Sequence, residues 1–232
     1  MNTYSFSKLK CFYNCKYYYY LHYFDDDEME PESHGTSEFG RFIHKILELY
    51  GKGELPLDKM VEYYKENYDE FVVSDFTLNI TPHFSKDMGQ KYYNDGMNFL
   101  KKFTGFPFKI LDTERRFEVD YEGKFLLNGS IDVVADMNGK TAIIDYKSKG
   151  KWKSLQEMRE YEKQLYIYAY AMYKLEGKFP DKMAFFLFRL NKWTWVDFDI
   201  NRLREVLQWA ENTVNDIESE FEFEPITQVN SG

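Results

Sequence analysis

Gly129-Ser-Ile-Asp-Val-Val-Ala-Asp-Met-Asn-Gly-Lys-Thr-Ala-Ile-Ile-Asp-Tyr-Lys-Ser148 decides how this chain folds, because two largely apolar runs flank Asn138-Gly139. An Asn-Gly pair between such runs is the strongest short-range signal for a β-hairpin with a two-residue loop. That loop sets Met137 opposite Lys140. Counting outward places Asp132 opposite Asp145, with Lys147 two residues further along the same face. Directly opposed residues have Cβ atoms about 4.5–5.5 Å apart, and like charges there repel. A positive charge is therefore expected between the aspartates. Two carboxylates holding a divalent cation beside a lysine are the parts needed to hydrolyse a phosphodiester bond.

An Asp-x-Lys triplet alone is commonplace, and a charge at a strand end is usually only solvated. The hairpin register gives it weight. Val133, Ala135, Ala142 and Ile144 share one face, while Val134 and Ile143 continue the face that carries the aspartates. A sheet apolar on both sides is buried on both sides. Carboxylates at its rim cost free energy unless they are paired or metal-bound.

Gly129-x-x-Asp132, Asp145-Tyr146-Lys147 and a following Gln164-x-x-x-Tyr168 resemble the motifs of the PD-(D/E)XK nuclease superfamily, in its RecB-like exonuclease branch. Ser5-Phe-Ser-Lys-Leu-Lys-Cys-Phe-Tyr-Asn-Cys15-Lys-Tyr-Tyr-Tyr-Tyr20 resembles that branch's opening helix. Gly40-Arg-Phe-Ile-His44-Lys-Ile-Leu-Glu-Leu-Tyr50 resembles its histidine-bearing helix, and the four motifs stand in the family's order. The resemblance implies an α/β (α+β) fold, with a central mixed β-sheet flanked by helices: a restriction-endonuclease-like core carrying an N-terminal helical elaboration.

It also implies a site. Asp132 and Asp145 are then the metal-binding carboxylates, with the backbone carbonyl of Tyr146 as a further ligand and His44 completing the metal site from an adjacent helix. Lys147 positions the attacking water and stabilises charge developing on the phosphate. Gln164 and Tyr168, one helical turn apart, share a face that borders the site and contacts the nucleic acid. The implied cofactor is one or two Mg²⁺ or Mn²⁺ ions.

The implied activity is that of a metal-dependent deoxyribonuclease, foremost an exonuclease acting on single-stranded or duplex DNA ends in recombination, repair or replication, with a recombination or replication protein as partner. Structure-specific or flap endonucleases use the same fold. So do inactive DNA-binding or partner-binding modules, although these usually lose a carboxylate or the lysine, which this chain keeps. Exonucleases of this fold often thread a strand through an arch, a role the resemblance offers to residues 51–105.

Some members hold an iron–sulfur cluster through one N-terminal and three C-terminal cysteines. Cys15 matches the first position, but Phe221–Gly232 contains no cysteine, and the chain has only Cys11 and Cys15. Four thiolates are needed, so no cluster is expected.

With 232 residues, 44% of them hydrophobic and 19% aromatic, the chain can build one substantial core. It reads as a single nuclease domain, residues 1–232: a mainly helical part with the histidine motif (1–105), a catalytic core of sheet and helices (106–220) and a C-terminal tail (221–232). Two cysteines four apart make neither a disulfide framework nor a zinc site. A cytoplasmic location is expected, the host's if the protein is viral, and a compact layout without a fused helicase suits a phage recombination nuclease. No stretch is long and apolar enough to span a membrane, and Met1-Asn-Thr-Tyr does not read as a leader.

Thirty basic against thirty-nine acidic residues leave a net charge of −9, which excludes broad electrostatic coating of nucleic acid. Basic character is local. Lys149, Lys151 and Lys153 follow Lys147 and are candidate phosphate contacts, while Lys8, Lys10 and Lys16 punctuate the N-terminal segment. The Tyr17–Tyr20 block, near Phe12, Tyr13, Tyr23 and Phe24, is expected mostly to pack, with one or two rings left for base stacking. Glu114 is a weaker candidate for a supporting acid. His22, His34 and His83 receive no role.

Along the chain, the acidic segment 25–32 reads as a loop. Helices are expected after Pro56 through Tyr68, over 87–103, from Ser154 to about Lys174 with Gly177 and Pro180 as stops, and over 201–220. Strands are expected over 109–120 and 124–135, with a second hairpin of 183–190 and 193–199 around Asn191-Lys192.

Overall fold

The computed structural model describes residues 1–23, 34–76 and 88–220. Within them the chain runs β1 (Thr3–Ser5), α1 (Phe6–Asn14), α2 (Lys16–Tyr23), α3 (Gly35–Gly51), α4 (Met60–Phe71), α5 (Met88–Lys102), β2 (Lys109–Tyr121), β3 (Phe125–Met137) and β4 (Lys140–Lys147). Then follow α6 (Leu155–Glu176), β5 (Lys182–Leu187), β6 (Lys192–Val196) and α7 (Ile200–Ser219).

The Asn138-Gly139 turn forms as its chemistry requires. Both residues take positive φ, 57° and 82°, the backbone of a type I′ turn. The register follows: Met137 faces Lys140 and Val133 faces Ile144. The alternation also partitions as expected. Val133, Ala135, Ala142 and Ile144 join the core beneath α3, α4 and α5, whereas Val134 and Ile143 join the core beneath α1, α6 and α7. The result is a six-stranded mixed sheet between two helical layers.

β3 is the axis of the sheet. One of its edges pairs antiparallel with β2 along nearly its whole length. The other is divided: Leu126–Asn128 pair in parallel with β1, and Val133–Met137 pair antiparallel with β4. Residues 129–132 lie between these pairings. β4 then pairs in parallel with β5, and β5 antiparallel with β6.

α6 begins at an N-cap in which Ser154 accepts the Glu157 amide at 3.0 Å, while the Glu157 carboxylate accepts the Lys153 amide at 2.6 Å. These contacts satisfy donors that a helix start otherwise leaves open. The helix ends at Gly177, whose φ of 73° provides the left-handed cap.

Three features differ from the sequence expectation. β1 precedes the opening helix, because a three-residue strand shows no periodicity and exists only through its partner on β3. The second hairpin's first strand stops at Leu187, since Phe188–Leu190 wind into a 3₁₀ turn that Asn191 closes with φ 50°. Residues 77–87 lie outside the described residues, and residues 51–76 and 88–105, the described parts of the segment offered an arch role, do not stand apart from the core. They bury Met60, Tyr64, Tyr68, Met97, Phe99 and Leu100 in the core against the sheet, so removing the segment would strip that face. The acidic loop 25–32, Phe24, His83 and the tail 221–232 lie outside the described residues. No described helix is long and apolar enough to cross a membrane.

Packing is close where α5 meets α4 and α3. Tyr64 is fully buried, donates its hydroxyl to the Tyr93 carbonyl at 3.1 Å and stacks on Phe42. A Cβ on Gly96 would lie 2.8 Å from the Tyr64 Cζ and 2.9 Å from the Phe39 ring. Gly96→Ala should destabilise the fold by about 1–3 kcal/mol through overpacking, against a helix-propensity gain of about 1 kcal/mol. Urea titration should show a lower midpoint at unchanged slope; a higher midpoint would mean that the contact yields freely.

Candidate active site

The break on the edge of β3 is where the chemistry gathers. Pairing with β4 stops at Val133 and Ile144, one pair short of the aspartates. There the Asp132 carboxylate takes over from the backbone, accepting the Tyr146 amide at 2.6 Å. Asp132 and Asp145, which the hairpin count sets face to face, are drawn to different partners.

Asp132 belongs to a cluster with His44 and Glu114, whose ligand atoms all lie within 4.8 Å of one another. His44 comes from α3. Its Nδ1 is 3.5 Å from Asp132 Oδ2, its ring sits edge-on to Tyr146, and it donates to the Tyr146 backbone carbonyl. Glu114 stands opposite Asp132 in the β2–β3 pairing, between the Thr113–Val133 and Arg115–Ile131 pairs. Its φ of 49° interrupts the strand, and its carboxylate accepts the Ser130 hydroxyl at 2.8 Å. A left-handed non-glycine residue within a strand is strained backbone of the kind that collects at functional sites.

Asp145, at 2% exposure, belongs to a second group. Lys147 Nζ lies 2.5 Å from its Oδ2 and donates to Gln164 Oε1 at 2.8 Å. Gln164 Nε2 donates to the Tyr168 hydroxyl at 2.6 Å, and that hydroxyl reaches Asp145 Oδ1 at 3.5 Å. Asp145, Lys147, Gln164 and Tyr168 thus close a ring. The Asp145 carboxylate, paired with Lys147, lies beside the His44, Glu114 and Asp132 cluster.

The electrostatics follow from burial. Desolvation, then the Asp145 charge, hold the Asp132 carboxyl well above the usual range, against the pull of the Tyr146 amide. Desolvation also raises Asp145, and Lys147 opposes it. Burial and then the Lys147 ammonium lower His44 to about 3, although the Tyr146 carbonyl resists. At neutral pH the imidazole is therefore uncharged and keeps a lone pair. Two carboxylates and one neutral imidazole, with the Tyr146 carbonyl beside them, form an oxygen-rich donor set suited to Mg²⁺ or Mn²⁺.

The group opens to a cleft of about 710 Å³ lined by Ser7, Arg41, His44, Glu114, Asp132 and Lys147 among others. The remaining candidates are less uniform. Tyr168 is only 5% exposed, and its hydroxyl is occupied by Gln164 and Asp145. Lys149 is held by Glu157 at 2.6 Å, whereas Lys151 and Lys153 are exposed. Of the tyrosine block, Tyr19 is buried and Tyr18 is exposed, stacked on His22. Cys11 and Cys15 are free thiols.

Glu114 carries more of the site than its sequence surroundings suggest. The signal lies in a count. From the turn that sets Tyr121 opposite Phe125, stepping back seven residues on one strand and forward seven on the other brings Glu114 opposite Asp132.

Known proteins resemble this chain in sequence and in fold. Two Streptococcus pyogenes ATP-dependent helicase/deoxyribonuclease subunits, from serotypes M12 and M1, are each 25% identical to this chain over 150 residues, or 62% of it. The chain spans about 14% of the length of these curated relatives. A solved Eubacterium rectale structure, described as that of a candidate exonuclease, superposes with a TM-score of 0.52 at 16% identity, covering 94% of this chain and 82% of that one. The family model of the PD-(D/E)XK nuclease superfamily matches residues 3–229. The chain belongs to the PD-(D/E)XK nuclease superfamily.

Proposed function

We propose that this protein is a divalent-metal-dependent deoxyribonuclease that hydrolyses phosphodiester bonds at DNA ends. The observation that carries this reading is the pairing of two groups in one break of the sheet: the His44, Glu114 and Asp132 cluster, and the Asp145–Lys147 pair beside it. The streptococcal relatives are named as deoxyribonuclease subunits, which supports DNA as substrate. Service in recombination, repair or replication, and work alongside a helicase-type partner, belong to the same proposal.

Asp132, Asp145, His44 and the Tyr146 carbonyl, joined by Glu114, would hold Mg²⁺ or Mn²⁺. When bound, the cation would supply Lewis acidity to the phosphate and lower the pKa of the attacking water. Lys147 brings a fixed ammonium to the reacting phosphate, where it orients the water and offsets charge developing on the oxygens. Gln164 and Tyr168 act through Lys147 and Asp145: the ring fixes the ammonium's position, so both are positioning residues here. Neutral His44 stays available as a donor because burial and Lys147 keep it from protonating. The phosphoryl group is displaced in line, without a covalent intermediate.

The test is digestion of 5′-labelled and 3′-labelled single- and double-stranded DNA and of a closed circle, in Mg²⁺ and in Mn²⁺. Degradation from ends with the circle intact is expected, and Lys147→Ala or Asp145→Ala should reduce the rate by at least about 10²-fold. Cleavage of the circle would replace end recognition with an endonuclease, and no cleavage by folded protein in either metal would remove the enzymatic reading.

A second expectation concerns the metal-free protein. Because the Asp132 carboxyl is held above its unfolded value, its contribution to stability is present below the unfolded pKa and lost as pH rises through the folded one. Asp132→Asn keeps an oxygen for the Tyr146 amide and removes the buried charge. At pH 7 it should raise the metal-free melting temperature by a few degrees, about 1 kcal/mol being worth roughly 2–4 °C in a chain of this size, and the gain should vanish below about pH 4. The same variant should lose Mn²⁺ binding by calorimetry; an unchanged melting temperature at both pH values would show that ionised Asp132 carries no such cost.

A further inference from the structure

Lys147 also belongs to a second cluster, whose other members have no part in the hydrolysis itself. Tyr161 of α6, half-buried, is surrounded by three ammonium groups. Lys10 Nζ lies 3.4 Å from its ring centroid, Lys149 Nζ 4.7 Å and Lys147 Nζ 5.1 Å. Trp152 packs against the same ring at 5.5 Å and is itself anchored through its indole N–H on Thr194 at 3.0 Å. The three lysines come from α1, the strand β4 and the segment after β4, and only the tertiary fold brings them together.

Their counter-charges do not balance. Asp145 takes Lys147 and Glu157 takes Lys149. Among the described residues no carboxylate forms an ion pair with Lys10, which meets the Tyr161 and Phe6 rings and hydrogen-bonds the Tyr161 hydroxyl. A cation over a ring gains about 0.5–2 kcal/mol, which holds Lys10 in place without neutralising it. Burial disfavours its ammonium, the Tyr161 hydroxyl offsets part of that through charge and a hydrogen bond, and Lys147 and Lys149 add to the cost. Gathering like charges in a half-buried position costs stability, and in a chain of net charge −9 acidic surface was at hand to cancel them. The cost is offset when an anion lies between them.

We propose that Lys10 and Lys149, spaced by Tyr161, form an accessory phosphate-binding subsite beside Lys147, which grips a phosphate of the nucleic acid next to the one being cleaved. This rests on the nuclease reading and adds a site to it. The group recognised is a phosphate, either an internal phosphodiester or a terminal monophosphate. The subsite is built from α1, α6 and the segment after β4, whereas His44 and Glu114 come from α3 and β2, so a strand held in both would pass Lys147 in a set direction.

The experiment measures binding of a 12-nucleotide single strand in EDTA by fluorescence anisotropy over a range of salt, with a 5′-phosphate and with a 5′-hydroxyl. Lys10→Gln is expected to weaken binding by about 3–10-fold and to lower the slope of log affinity against log salt by about 0.7, the value for one phosphate contact on a single strand. Lys10→Arg should restore most of both. The melting temperature of Lys10→Gln should equal or exceed that of the parent, because repulsion is relieved; a purely structural lysine would lower it.

A loss confined to the 5′-phosphorylated strand assigns the subsite to a terminal monophosphate, and an equal loss on both strands assigns it to an internal phosphate. Unchanged affinity and slope in folded Lys10→Gln, with the parent still binding and cutting DNA, would overturn the subsite and leave the nuclease reading intact. A parent that neither binds nor cuts DNA would overturn both.

Discussion

The divided edge of β3 is the constraint on which the rest of this structure depends. β2 satisfies one edge of the strand, and β1 and β4 share the other from opposite ends. Buried backbone groups require partners, so the interval between β1 and β4 cannot be left as open strand edge. The Asp132 carboxylate closes part of it by accepting the Tyr146 amide. One side chain thereby ends the β3–β4 ladder and joins the cluster of candidate ligands. β1 leads directly into α1, so the short strand that closes the other end of the break also delivers Lys10 to its surroundings.

Electrostatic cost is concentrated at that break. Asp132 and Asp145 are both buried, and desolvation disfavours their charged forms. A purely structural core would gain by replacing such groups with apolar ones of similar volume. Their retention alongside a strained Glu114, a neutral imidazole and an ion-paired Lys147 fits a site selected for chemistry at the expense of stability. The Gln164 and Tyr168 ring limits the cost by satisfying polar atoms that burial would leave unpaired. It also fixes Lys147 relative to Asp145.

The charge distribution has the same local character. A net charge of −9 gives the chain no general attraction for a polyanion. Whatever grip it has on nucleic acid must come from cations concentrated at the cleft. Arg189, in the turn after β5, pairs with Asp95 and stacks on Tyr92 at 4.1 Å, both on α5, and donates to the Ser148 carbonyl at 3.4 Å. The segment that follows Lys147 is thus tied to the layer that carries His44.

By itself the sequence determined what is local. The Asn138-Gly139 hairpin, its register and the two apolar faces are set by turn chemistry and an alternation of period two, so Val133 and Ile144 fall on one side and Val134 and Ile143 on the other. Ser154 and Gly177 mark the ends of α6 because caps act within a few residues. His44, Asp132, Asp145 and Lys147 were legible through motif spacing and family resemblance. Only the tertiary structure decided what depends on distant partners: that β1 exists at all, that α4 and α5 pack as a core layer against the sheet, that Gln164 and Tyr168 reach Lys147 and Asp145, and that Lys10 meets Tyr161. Glu114 lies between the two cases. A register count places it opposite Asp132, but its left-handed backbone and its approach to His44 arise from how β2, β3 and α3 pack. Sequence patterns encode periodicity and turns, whereas charges are brought together across the chain by burial, and burial is a property of the whole fold.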